Sequence, residues 1–130
     1  MLFKKHVSSM ERNQMIDITK LVRDCIKESN TKNGIAIVFC PHTTGAITIN
    51  ENCDRDVQID MITHLEKVFP NSREFMHFEG NSDSHLKSTT VGASENIIIH
   101  NGDLLLGTWQ GIYFCEFDGP RERTFYVKVQ

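Results

Sequence analysis

No two cysteines in this chain are spaced C-x-x-C, so neither a zinc ribbon nor a thioredoxin-type redox motif is present. No apolar run approaches the roughly 18 residues of a membrane-spanning helix. A basic excess is also missing: 14 Lys and Arg stand against 17 Asp and Glu, for a net charge of −3. That balance gives no support to binding of nucleic acid or anionic lipid. There is no internal repeat, low-complexity tract or Pro/Gly/Ser-rich linker, and 130 residues are one domain's worth, residues 1–130. The opening residues Met1 to His6 lack the long apolar segment of a secretory signal, so the expected compartment is the cytoplasm.

What is present is the composition of a globular domain. Hydrophobic residues make up 39% and charged residues 24%, which excludes a disordered chain. A chain of this size buries about two-thirds of its unfolded surface and needs no disulfide or metal to fold. Cys25 and Cys40 sit in apolar runs and are expected to be small buried thiols. Cys53 lies between Glu51 and Asp54, whose charges oppose thiolate formation and argue against a reactive nucleophile.

Periodicity predicts the elements. Residues 2–9 and 14–18 fit short strands. Thr19 offers an N-cap to a helix in which Leu21, Val22, Cys25 and Ile26 recur at helical spacing, ending near Ser29-Asn30. The continuous apolar run 35–40 predicts a buried strand closed by Pro41, and the β-branched stretch 46–50 a second one. Asp54 or Asp56 should cap a helix with an apolar face of Val57, Met61, Ile62, Leu65 and Val68 or Phe69, stopped by Pro70. Residues 71–84 are polar and loop-like, and a short helix is expected over 84–91. Strands are predicted at 97–99, 104–106, 112–117 and 124–129, punctuated by Asn101-Gly102, Gly107 and Asp118-Gly119-Pro120. Two or three helices among seven or eight strands is an α+β plan, most simply an antiparallel β-sandwich with the helices packed on it.

Six histidines are an unusual share. His6 and His100 are expected at the surface and His64 at a packing boundary of its helix. His42 differs, because it follows the end of a buried strand and precedes Thr43-Thr44-Gly45, where a rigid scaffold can present functional groups. His77, Glu79, Asn81, Asp83 and His85 crowd into nine residues. Three neutral imidazoles, His42, His77 and His85, with carboxylates nearby suit a divalent transition metal. The spacings match neither H-E-x-x-H nor a zinc finger, so solvated loop residues are the plain alternative. Glu51 could serve as a base or simply as a turn carboxylate. Arg121 and Arg123 could clamp a phosphate or pair with Glu116, Asp118 or Glu122. Gly107-Thr108-Trp109-Gln110-Gly111 holds the only tryptophan, fit either to stack on a heterocycle or to fill the core beside a β-bulge.

Pro41-His42-Thr43-Thr44, Ile49-Asn50-Glu51, the run His77 to His85, and Gly107-Thr108-Trp109-Gln110 together resemble the YjbQ family, also labelled secondary thiamine-phosphate synthase. Ser94, Ile97, Ile99, Gly102, Gly107 to Gln110 and Ile112 match its signature without a gap. The resemblance implies a jelly-roll-like α+β sandwich assembled as a homotrimer, with metal held by His42, His77 and His85. It implies an activity joining a pyrimidine diphosphate to a thiazole phosphate with release of diphosphate, as a side reaction whose physiological counterpart is open. On that reading Glu51, Glu79 and Asp83 are the candidate acids and bases. Thr43, Thr44, Asn81, Trp109, Gln110 and Arg121 are the candidate contacts to a small phosphorylated substrate. Imidazole donors suit zinc or another transition metal better than magnesium. Metal-assisted hydrolysis of a phosphorylated substrate, or non-catalytic binding of a metal or small ligand, are the competing expectations. Nucleic acid and membrane are not expected partners.

Overall fold

A computed structural model describes residues 1–130. Eight strands and three helices follow in the order β1 (Leu2–Ser8), β2 (Gln14–Asp17), α1 (Thr19–Ser29), β3 (Gly34–Phe39), β4 (Gly45–Glu51), α2 (Arg55–Val68), α3 (Ser82–Val91), β5 (Ser94–His100), β6 (Asp103–Leu104), β7 (Gln110–Glu116) and β8 (Glu122–Val129). All strand pairings are antiparallel. One sheet has the order β1-β8-β3-β5-β6 and the other β2-β7-β4. The α+β plan read from the sequence is therefore the architecture of the chain.

The main core lies between the sheets. Phe3, Ala36, Val38, Ile97, Ile99, Phe125, Val127 and Val129 come from the inner face of the five-stranded sheet, and Ile47, Ile112 and Phe114 from the other. Helix α1 closes the core with Val22, Cys25 and Ile26. The opposite face of the three-stranded sheet carries Ala46, Tyr113, Cys115 and Phe117, packed against Leu65 of α2 and Val91 of α3. Strand β7 is thus buried on both faces, which explains its central apolar run Gly111–Cys115. Burial pushes the Cys115 thiol up to about 12 and leaves it inert.

Local chemistry sets the helix ends. Thr19 is not the N-cap of α1. Its N–H and hydroxyl both donate to Asp17 Oδ1, and its hydroxyl accepts from Ile112 N–H, tying the helix to β7. Asp54 caps α2 by accepting from Asp56 N–H. Helix α3 begins at Ser82, two residues before the expected start, and its N-cap Asn81 makes no capping bond: Nδ2 donates to Asp118 Oδ2, and Oδ1 accepts from no N–H.

The outer face of the five-stranded sheet departs from expectation. In β3 Ala36 and Val38 are buried, whereas Ile35 and Phe39 are exposed. Leu2 and Ile98 are exposed on the same sheet. Leu2, Ile37, Phe39, Tyr126 and Lys128 line an apolar groove of about 470 Å³ there. No helix is long and apolar enough to cross a membrane.

Candidate functional site

Strand β3 ends at Phe39, and the chain turns through Pro41 to His42, Thr43 and Thr44 before β4. The loop after α2 brings His77 and Glu79 to the same place, α3 brings His85, the β7–β8 turn brings Asp118 and Arg121, and the start of β8 brings Arg123. Together with Asn81 these residues line a cleft of about 380 Å³ in which Pro41 is the only lining residue without a polar side chain. The cleft gathers eight of the twelve candidate site residues: His42, Thr43, Thr44, His77, Glu79, Asn81, His85 and Arg121.

The floor is a buried ion pair. Arg123 donates from Nε to Glu116 Oε1 at 2.8 Å and from Nη2 to Glu116 Oε2, and the same Nη2 reaches Thr44 Oγ1 at 2.8 Å. Ser9 Oγ and Asp118 N–H complete the shell of Glu116. Burial pushes the Glu116 carboxyl up, but hydrogen bonds from Arg123, Ser9 and Asp118 N–H outweigh it and hold the carboxyl below its usual range. Arg121 is fixed alongside, its Nε on Asp118 O and its Nη2 on Asp118 Oδ2. The paired-arginine alternative therefore describes both residues. Each uses Nε and Nη2 in these bonds, and no protein contact engages Nη1.

His42 is anchored by the backbone of β8. Its Nε2 stands 3.0 Å from Thr124 N and 3.1 Å from Thr124 O. An unprotonated Nε2 accepts from the Thr124 N–H. A protonated Nε2 donates to the Thr124 carbonyl and leaves the Nδ1 lone pair free to take a proton or a metal. One backbone residue thus supports either tautomer. Burial, with Arg123 adding repulsion, lowers the pKa of His42, so the ring is neutral at neutral pH. His77 and His85 stand edge to face with ring centroids 5.5 Å apart.

Asn81 adds an unusual feature. Its Nδ2 donates to Asp118 Oδ2 at 2.8 Å, while its Oδ1 is buried with no hydrogen-bond partner. A buried acceptor left alone is costly in a native structure and marks a place where a further group is expected. The three imidazoles that line the cleft fit a divalent transition metal in their donor chemistry. No three His, Cys, Asp or Glu side chains already converge as a ligand set.

The other four candidates lie elsewhere. Asp83 is fully buried behind the cleft, held by Arg12 Nη1 at 3.0 Å and Nη2 at 3.2 Å, with Lys87 at 4.0 Å. Burial opposes ionisation of Asp83, but Arg12 and Lys87 outweigh it and depress the pKa. It is a structural anion rather than a free acid. Glu51, Trp109 and Gln110 share the far end of the three-stranded sheet, where Glu51 pairs with Gln110 in the register. Trp109 is 59% exposed and so is not a core residue. The sequence reading missed Ser9, Arg12 and Glu66, and took Lys87 as a cation that could assist Arg121 and Arg123. Lys87 is fully buried, bonded to Glu66 and Asn13, and nothing in its polar surroundings in the sequence signals that.

Comparison with known proteins agrees with this fold. The family described as "UPF0047 protein YjbQ-like" matches residues 4–130. The chain belongs to the YjbQ-like UPF0047 family. A UPF0047 protein of Methanocaldococcus jannaschii is 53% identical over 129 residues, spanning 99% of this chain and 94% of that protein. The UPF0047 protein YugU of Bacillus subtilis is 52% identical over 130 residues, spanning 99% and 98%. A crystal structure of a YjbQ/UPF0047 protein from Clostridium acetobutylicum superposes with a TM-score of 0.97 at 52% identity, covering 98% of this chain and 99% of that one. A YbjQ-like protein of Sulfolobus solfataricus, described as of unknown function, gives 0.95 at 34% identity, covering 99% and 95%.

Proposed function

We propose that the His42 cleft is the active site of a metal-dependent enzyme acting on a small phosphorylated molecule, with thiamine-phosphate synthase-type chemistry as one accessible reaction. The observation that carries this reading is the unpartnered, buried Asn81 Oδ1 in a cleft shared by three imidazoles and two fixed guanidinium groups. His42, His77 and His85 would hold the ion, zinc or another transition metal in preference to magnesium. When bound, it would supply charge neutralisation of a departing diphosphate. Arg121 and Arg123 would direct their free Nη1 groups to phosphate oxygens, held in place by Asp118 and Glu116. Thr43 and Thr44 line the same wall. His42 would present Nδ1 to the ion, with Nε2 steadied by the Thr124 backbone.

Glu79 makes no ion pair in the protein and lines the cleft, and this favours metal-assisted hydrolysis as the second reading, with Glu79 orienting a water. A homotrimer belongs to the same proposal, supported by the exposed apolar outer face of the five-stranded sheet. The cytoplasm is the compartment in which we place the reaction.

Elemental analysis of the native protein and of His42→Ala and His85→Ala, with diphosphate release measured on one and then both thiamine precursors, tests the reading. The expected result is a near-stoichiometric transition metal lost in both variants, with diphosphate released only when both precursors are present. Release from a single substrate would favour hydrolysis, and bound ligand without turnover would mean a binding module. A native protein that takes up no metal even after reconstitution would overturn the metal-dependent reading.

A further inference from the structure

The His42 cleft does not end at His85. A groove of about 510 Å³ adjoins it, and Thr43 and His85 line both. Small-molecule sites span about 300–1,000 Å³, so each hollow suits one part of such a ligand. The two differ in chemistry. Glu79, Asp118, Arg121 and Arg123 place four charged side chains on the cleft. The groove has none, and beyond the shared pair its walls include Leu86 and Ala93.

Helix α3 sets the direction of the groove. His85, Ser88, Thr89 and Gly92 stand at i, i+3, i+4 and i+7, one face of the helix continued through its C-cap. Seven steps of 1.5 Å make that face about 10 Å long. The N-cap Asn81 lines the cleft, so the cleft lies at the end of α3 whose dipole favours an anion. The groove runs toward the opposite end, which disfavours a second one.

The floor of the groove spends its polar atoms inside the protein. Ser88 Oγ donates to Gly45 O at 2.6 Å, and Ser88 O accepts from the Gly92 N–H at 2.9 Å. Gly92 O accepts from the Ile47 N–H at 3.0 Å, and Ala93 O from the Cys40 N–H at 2.8 Å. These bonds pin the α3–β5 turn to β4 and to the end of β3, so the groove is preformed. They also leave mainly carbon facing outward. Gly92 keeps the groove open: at φ +107° it favours glycine, and a Cβ there would meet nothing within 4 Å.

From this we infer that the groove is a second subsite for the same ligand, taking an uncharged alkyl or aryl group up to about 10 Å long. The phosphate to which that group is attached sits at Arg121 and Arg123. The ligand class is therefore a phosphate ester with one apolar end, in preference to a sugar phosphate or a molecule with anions at both ends. The assignment rests on the cleft being the phosphate site, and a phosphate ester without an apolar group lets the two fail separately.

Isothermal titration of the purified protein with methyl, phenyl and hexyl phosphate tests the subsite. Phenyl or hexyl phosphate should bind at least about tenfold more tightly than methyl phosphate, from apolar burial alone. The tighter of the two identifies an aryl or an alkyl occupant. Ala93→Phe fills the groove from an exposed position and should abolish the gain while leaving methyl phosphate binding unchanged. Leu86→Glu blocks it from the helix side, should Ala93→Phe disturb the start of β5. The amide resonances of Thr89, Gly92 and Ala93 should shift with the tighter ester and not with methyl phosphate. Equal affinity for all three esters would overturn the subsite and leave the phosphate site standing. A gain that survives both substitutions would also overturn it. Failure of every ester to bind would overturn the phosphate reading of the cleft together with the subsite.

Discussion

Arg123 holds Glu116 with Nε and Nη2 while the same Nη2 reaches Thr44, so the wall of the cleft that carries Thr44 is braced by an ion pair that solvent barely touches. Removing one partner strands the other charge in the interior. Arg123→Met should cost about 3–5 kcal/mol of folding free energy, whereas Arg123→Met with Glu116→Leu should recover much of that loss. Chemical denaturation of the two variants measures the difference. Equal losses in both would show that the pair is not what braces the wall.

Asp83 and Glu116 share a consequence at low pH. Both carboxyls ionise more readily folded than unfolded, because cationic and hydrogen-bonding partners outweigh their burial. Their stabilisation is therefore fully present above the unfolded carboxylate range near 4 and lost as pH falls through the depressed folded values. Asp83→Asn should lower stability near neutrality by about 3 kcal/mol, because Arg12 and Lys87 lose their anion. It should also flatten the acid limb of the stability profile. Should Asp83→Asn instead leave stability intact and move the pH profile of turnover, Asp83 would be an acid–base group after all.

His42 moves in the same direction for a different reason. Its folded pKa lies below the ordinary 6.5, so the folded state binds fewer protons than the unfolded one as pH drops below that value. The stability contributed by its neutral ring is complete above pH 6.5 and declines as pH falls toward the folded pKa. Imidazole proton resonances followed against pH should place the His42 midpoint below 6.5. Arg123→Gln should raise it by removing the nearby positive charge. A midpoint at or above 6.5 would contradict the burial of the ring.

These properties divide cleanly into those written locally in the sequence and those made by long-range pairing. Helix α2 was legible because Asp54 caps it and Pro70 follows it, and β7 because Ile112 to Cys115 form an apolar run. The His77 to His85 cluster was legible because its members are neighbours in the chain, and His42 because it ends a strand. Asp83 belongs to the same local cluster, yet Arg12, 71 residues away, decides that its carboxylate is committed. Trp109 and Gln110 looked like cleft residues, but the β4–β7 register carries them to the opposite end of the sheet. In β3, Ile35 and Phe39 read as core because apolar content does not distinguish a face buried within the chain from a face left open by it.

Gly111 connects that far end of the sheet to its neighbours. A Cβ on this residue would lie 2.6 Å from Asn52 Nδ2 and 2.8 Å from Asn52 Cβ, closer than real side chains approach. Asn52 in turn donates its N–H to the Trp109 carbonyl. Gly111→Ala should therefore displace Asn52, loosen the turn that presents Trp109, and cost about 1–3 kcal/mol as overpacking at a tight contact. Thermal unfolding gives the stability change, and the fluorescence anisotropy of Trp109 reports the loosening. Adding Asn52→Gly should restore both, because it removes the side chain that the new methyl meets while keeping the backbone N–H. If Gly111→Ala lowers stability with Trp109 anisotropy unchanged, the contact is a packing constraint on β7 alone and the turn is held by Gly107 and Gln110 without it.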